Sequence, residues 1–204
     1  MKIAIIGAGN VGRALTASAS RAGHEVTVSA AHTDHAVEAA RAKGARPASS
    51  NRDAVKDAEV VILAVPGTAY AELGDELGDT LAGKIVVDVA NRPTPNPSGN
   101  ANSIAEELQQ LIPQARVVKA FNTAFASRQA RPEIGGQRAD GYVAADDEEA
   151  KAKVLTLVES IGFRPVDAGP LAAARTLEGM AWLNISRNMQ GGSWQSAWVL
   201  ADAA

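Results

Sequence analysis

Residues 1–12 read MKIAIIGAGNVG, and the fold is decided by how this stretch is read. A short apolar run, Ile3-Ala4-Ile5-Ile6, ends at Gly7, and a small-residue helical pattern opens at Gly12 and continues to Ala22. Between them Gly7, Gly9 and Gly12 stand in G-x-G-x-x-G spacing. That spacing alone arises often by chance, but a strand before it and a helix after it are the context a dinucleotide-binding turn requires. In this reading Gly7 makes the tight turn, Gly9 lets the main chain approach a pyrophosphate, and Gly12 lets the helix lie close on the strand. The unpaired N–H groups and the positive end of the helix then face the phosphates.

The alternation continues downstream. Residues 25–29 (EVTVS) read as a second strand, and residues 34–43 as a helix stopped by Gly44. A minor strand is expected at 46–49 and a helix at 51–57. Residues 59–65 (EVVILAV) form a continuous apolar run of the kind a strand covered on both faces shows, and Pro66 ends it. A helix at 69–77 and a further buried strand at 84–90 (KIVVDVA) follow. This order argues an α/β fold, a Rossmann-type doubly wound and mainly parallel sheet. Later strands are expected at 116–121, 141–145 and 163–168, the last at a sheet edge because Pro165 cannot donate to a ladder. Ser103 and Glu106 have capping-box spacing for a helix ending before Pro113. Another helix runs from about 146 to Ser160, with its acidic start on the favourable end of the dipole.

Two segments stand apart. Residues 91–102 (NRPTPNPSGNAN) have three prolines and no periodicity, so they read as an irregular loop, either a surface insertion or a substrate lid. Residues 169–204 carry no strand signal. They are expected to form a small C-terminal helical cap beside a dinucleotide-binding domain at 1–168, with one helix at 171–189 and, after Gly191-Gly192, a second at 193–200. Trp194 and Trp198 would then share one helical face, packing in the core or a dimer, or walling a flat ligand.

Composition bounds the chemistry. The 204 residues are 46% hydrophobic and 21% charged with a formal net charge of −3, which gives no reason to expect a nucleic-acid or membrane partner. Without cysteine, disulfides, thiolate catalysis and cysteine metal sites are excluded. No cluster has metal-ligand spacing, and no apolar run approaches the roughly 18 residues of a membrane span. A cytoplasmic protein is the default expectation.

Candidate contacts follow from the fold. An acidic residue just after the second strand would grip the ribose of NAD, and an arginine there would take the 2′-phosphate of NADP. This chain has Ser29-Ala30-Ala31-His32-Thr33. The missing carboxylate also removes the repulsion that excludes a phosphate, so NADP(H) is preferred over NAD(H), with Ser29 and His32 as polar contacts. His24 and His35 flank helix ends and are expected to be exposed. Around a nicotinamide the strand ends Val65, Pro66, Ala90, Asn91 and Asn122 supply amides and main chain rather than an acid–base pair. Lys119 and Asp167 are the exceptions. Lys119, inside an apolar strand, is a proton donor to a ketone or imine, or a structural lysine at a strand edge. Asp167, before Ala168-Gly169-Pro170, is explained by turn formation or helix capping.

Residues 5–12 (IIGAGNVG), 119–123 (KAFNT) and 163–175 (FRPVDAGPLAAAR) together resemble the NADPH-dependent coenzyme F420 reductase (F420:NADP oxidoreductase) family. That family has relatives in the cytoplasmic reductase domains of metalloreductase membrane proteins. The resemblance spans nearly the whole chain and implies an NAD(P)-dependent oxidoreductase, usually a homodimer. Hydride would pass directly between NADP(H) and the deazaflavin coenzyme F420, in a cleft between core and cap. By position, Gly7, Ala8, Gly9, Asn10, Val11 and Gly12 would hold the pyrophosphate, and Pro66, Ala90, Asn91 and Asn122 would line the nicotinamide and deazaflavin. Two other readings are a reductase of a flavin or small carbonyl or imine substrate, with Lys119 as donor, and a non-catalytic NADP(H) sensor.

Overall fold

The computed structural model describes residues 1–41, 44–92 and 102–201; the end of the expected second helix at Lys43 and most of the 91–102 loop lie outside them. Strands β1 (Lys2–Ile6), β2 (Glu25–Ser29), β3 (Ala45–Pro47), β4 (Val60–Leu63), β5 (Ile85–Asp88) and β6 (Arg116–Ala120) alternate with helices α1 (Asn10–Arg21), α2 (Thr33–Ala39), α3 (Asn51–Val55), α4 (Tyr70–Leu77) and α5 (Ile104–Leu111). Then come α6 (Ala126–Ala130), a hairpin of β7 (Glu133–Ile134) and β8 (Gln137–Arg138), β9 (Asp140–Ala145), α7 (Glu148–Ser160), β10 (Arg164–Gly169) and α8 (Ala174–Met189). Outside the hairpin, the strands form one eight-stranded sheet in the order β10-β9-β6-β5-β4-β1-β2-β3.

The sheet is covered on both faces, and its central strands are correspondingly apolar. Ile3, Ile5, Val28, Ile62 and Val87 pack into one core, while Ala4, Ile6, Val61, Leu63 and Val86 pack into the other. Burial of alternate residues on two faces is why these runs read as continuously hydrophobic rather than alternating. The chain leaves β1 toward β2 and β3 and returns to β4 on β1's other side. This is the switch point beside which open α/β sheets bind ligands. The pairing of β6 with β9 is antiparallel, and β10 then runs parallel to β9 as the edge strand. The capping box at Ser103 is present, with both reciprocal bonds to Glu106. Among the described residues no helix is long and apolar enough to cross a membrane.

The C-terminal tail departs from expectation. No helix forms at residues 193–200, so Trp194 and Trp198 do not share a helical face. Helix α8 ends at Met189, Gly191 takes a left-handed φ of 102°, and Trp194 itself sits at φ 57°. The Asn188 side chain accepts the Trp194 N–H at 2.8 Å, and the Trp194 ring meets Phe125 edge-on at 5.3 Å. The following residues are drawn onto the sheet edge. Asp140 donates its N–H to the Trp198 carbonyl at 2.9 Å and accepts the Leu200 N–H on its carboxylate at 2.6 Å. Long-range capture of the main chain has won over local helical spacing.

Asp140 thus pins the tail, and its titration reports on it. Burial pushes the carboxyl up, but the Arg164 guanidinium, the Leu200 N–H and the Tyr142 hydroxyl outweigh burial and hold it below its ordinary value. A depressed folded value means that the stability Asp140 contributes is complete above the ordinary aspartate range and is lost as pH falls through the folded value. Hydrogen exchange is expected to show the Leu200 amide losing protection in acid before the β9 amides do. In Asp140→Asn that loss should already be present at neutral pH; unchanged protection in the variant would refute this account.

Candidate nucleotide and hydride-transfer site

The turn between β1 and α1 is closed by contacts that only glycine permits. Gly7 adopts φ 106° and donates its N–H to the Ser29 carbonyl at 2.9 Å. A Cβ on Gly7 would lie 2.4 Å from the Ala64 oxygen, and one on Gly12 would lie 1.9 Å from the Gly7 oxygen. Gly9 is different: nothing lies within 4 Å of where its Cβ would be. Gly9 is also the N-cap of α1, with no side-chain cap and no acidic residue in the first turn. The positive end of a twelve-residue helix therefore opens onto free space beside Gly9 and Asn10, which is the arrangement that receives an anion.

The expected residues divide among three places. Val11, Asn91 and Asn122 line one cavity of about 130 Å³, together with Phe121, Ala181 and Asn184. Pro66 and Asn91 line a second of about 500 Å³, between the start of α4 and α5, with Tyr70 and Arg92. Ala90 is buried in the core on the α4–α5 side of the sheet, and Val65 packs against the same core. The adenosine-end candidates join neither cavity. The Ser29 hydroxyl is buried and donates to Asn51 Oδ1 at 2.7 Å, and Asn51 in turn donates to Glu76 at 2.8 Å. His32 is exposed and meets the His35 ring edge-on at 5.4 Å. His24, expected to be exposed, is half-buried between the N-terminal amino group and Ser160 Oγ. Its burial and the nearby amino charge lower its pKa.

Asn122 is placed by strain in its neighbour. Phe121, at the end of β6, holds a left-handed φ of 62°, uncommon for a bulky side chain. The resulting bend lets Asn122 Nδ2 donate to Asn91 Oδ1 at 2.9 Å and to the Leu177 carbonyl of α8 at 3.0 Å. Asn91 Nδ2 returns a bond to the Asn122 carbonyl at 2.9 Å. Two amides from adjacent strands are thereby locked to each other and to the cap helix.

Beneath them lies a buried charge network whose partners sequence reasoning missed. Lys119 is not at a strand edge; it is fully buried in the inner strand β6. Its Nζ donates to Asp88 Oδ2 at 2.7 Å, the Ala90 carbonyl at 2.6 Å and Glu178 Oε1 at 3.0 Å. The Tyr70 hydroxyl donates to the other Asp88 oxygen at 2.5 Å. Burial, and then the Asp88 carboxylate, raise the Tyr70 pKa well above the ordinary tyrosine range. Burial also raises that of Glu178, against the pull of Lys119. All three ammonium protons are committed, so in this geometry Lys119 is a structural cation closed to substrate. The available signal was a pair of opposite charges, Asp88 and Lys119, each inside an apolar strand.

Comparison with known proteins accords with this geometry. The sequence model described as "NADP oxidoreductase coenzyme F420-dependent" matches residues 2–92. The F420-dependent NADP reductase of Methanothermobacter marburgensis is 31% identical, over 93% of this chain and 93% of its own. The chain belongs to the F420-dependent NADP oxidoreductase family. Within it, a solved structure from Arthrobacter sp. FB24, provisionally described as an F420-dependent NADP-reductase, is 32% identical with a TM-score of 0.87, over 99% of this chain and 100% of that one. Similarity reaches beyond the family: the rat metalloreductase STEAP3 is 40% identical over 127 residues, 62% of this chain. The chain spans only a quarter to about a third of the length of the metalloreductases it matches.

Removing the buried cation tests its role. Lys119→Met is expected to destabilise the protein by about 3 kcal/mol or more, because Asp88 and Glu178 are left buried without it. Urea unfolding measures this, and a loss below about 1 kcal/mol would contradict the structural role.

Proposed function

We propose that this family member transfers hydride between NADP(H) and the deazaflavin coenzyme F420. One observation carries the choice of acceptor: among the described residues the 130 Å³ cavity beside Val11, Asn91 and Asn122 is lined by no titratable side chain, and Lys119 is fully buried. Reducing a carbonyl or imine calls for a proton donor at the reacting atom. Direct exchange between two hydride carriers calls for orientation and a dry cleft. The turn residues Gly7, Ala8, Gly9, Asn10, Val11 and Gly12 fit a dinucleotide, since the α1 terminus is uncapped and the space at Gly9 is open. When bound, the two cofactors supply the hydride chemistry. This chain's residues hold the phosphates at α1, present the locked Asn91 and Asn122 amides at the sheet edge, and close the cleft with Ala181 and Asn184 of α8.

In this reading residues 1–168 bind the nucleotide and residues 169–204 form the cap, in a chain that pairs as a homodimer. Leu183 and Met189 of α8 are 58% and 68% exposed, an apolar surface suited to such pairing. Sedimentation velocity is expected to give a dimer that Leu183→Glu converts to monomer; a monomeric parent protein would reject the pairing.

The reaction itself is tested by mixing the protein with oxidised F420 and either NADPH or NADH while following deazaflavin absorbance. Bleaching is expected, and faster with NADPH. A protein that binds nucleotide yet bleaches F420 with neither would overturn the proposal and return attention to flavin and carbonyl acceptors.

A further inference from the structure

Helix α6 has two faces on two different cavities. Phe125, at its N-cap, and Ala126 and Gln129 line the small cavity at the sheet edge, whereas Arg128 and Arg131 line an open groove of about 860 Å³ on the other side. Arg21 of α1 and Arg138 of β8 line the same groove. Four guanidiniums therefore converge on one concavity in a chain whose net charge is −3. Their partners are mainly main-chain carbonyls. Arg21 donates to the Ala130 carbonyl at 2.6 Å, Arg128 to the Glu133 carbonyl at 2.5 Å and to Gln195 Oε1 at 3.1 Å, and Arg138 to the Gly162 carbonyl at 3.1 Å and to the Phe163 carbonyl. Arg131 is exposed and has no partner among the described residues. None of the four is ion-paired with a carboxylate among the described residues, whereas Arg13, Arg92, Arg116, Arg164 and Arg175 are. Among the described residues Glu133 is the one acidic residue lining the groove.

Main-chain carbonyls hold three of these guanidiniums in place without neutralising them. Each fork keeps N–H groups that match a carboxylate or phosphate two at a time. The charge left uncompensated attracts anions, and the positions are already set, which lowers the ordering cost of binding. We infer that the groove beside α6 is a binding site for a small flexible polyanion carrying two or more phosphate or carboxylate groups. Two sources have that chemistry: the anionic arm of a hydride acceptor whose ring occupies the cavity across α6, or a free polyanion. The first source rests on the function proposed above; the groove itself does not.

The test begins with calorimetric titration of the whole protein with triglutamate and with tripolyphosphate. At least one is expected to bind, more weakly as salt is raised. Arg131→Glu should weaken it by roughly tenfold or more, and Arg131→Lys by less. Because Arg131 is exposed and unpartnered, its variants keep the fold. Failure of both polyanions to bind, or equal binding by Arg131→Glu, overturns the inference whether or not hydride transfer occurs. The source is read from kinetics with F420 and with the same deazaflavin ring lacking its anionic arm. A polyanion that raises the KM for F420 alone supports the arm of the acceptor; one that binds and alters neither KM supports a free polyanion. If neither deazaflavin is reduced, the proposed reaction fails while the titration still decides the groove.

Discussion

The protein depends on the buried cation of Lys119. Lys119 sits in the middle of the sheet with no exposure, and its three protons are divided among Asp88, the Ala90 main chain and Glu178. Those acceptors belong to the adjacent strand β5, to the loop that follows it, and to the helix that covers the sheet edge. Burying an ammonium is costly unless every proton is satisfied and opposite charge is close. The charge is compensated only when β5, β6 and α8 are docked together. Tyr70 and the Ile104 N–H extend the same arrangement to α4 and α5 through Asp88 and Glu178. The amides of Asn91 and Asn122 lie directly above these anchored positions, so their register follows from the network below.

Much of the fold was legible because its signals are local. The alternation of apolar runs with small-residue helical patterns, the glycines at the first turn and the proline at the last strand each act within a few residues. What was not legible depends on distant partners. Nothing in residues 140–145 tells whether they run with or against β6; that direction follows from the route through α6 and the β7–β8 hairpin. Trp194 and Trp198 have helical spacing, yet Asn188 takes the Trp194 N–H and Asp140 takes the main chain beyond it.

The site shows the same division. The glycine turn after β1 could be read residue by residue, because Gly7 and Gly12 answer to steric demands nearby and Gly9 leaves the helix end open. Asn91 and Asn122 were found as strand ends, but their mutual bonds and the α8 carbonyl that holds them were not. Ser29 had the right place in sequence and the wrong direction in space, since its hydroxyl turns inward to Asn51. Lys119 was visible as an anomaly, and only the positions of Asp88 and Glu178 made it structural. Charged residues in apolar strands mark a constraint without saying which element supplies the counter-charge.

The two outer strands of the sheet have a feature in common. Strand β3 ends in Pro47 and β10 contains Pro165, so each border lacks a main-chain donor where a further strand would need one. Both borders therefore resist extension by a strand from another molecule, a common route to aggregation. Association that leaves this sheet intact is steered to its helical surfaces, where side-chain complementarity rather than main-chain hydrogen bonding selects the partner.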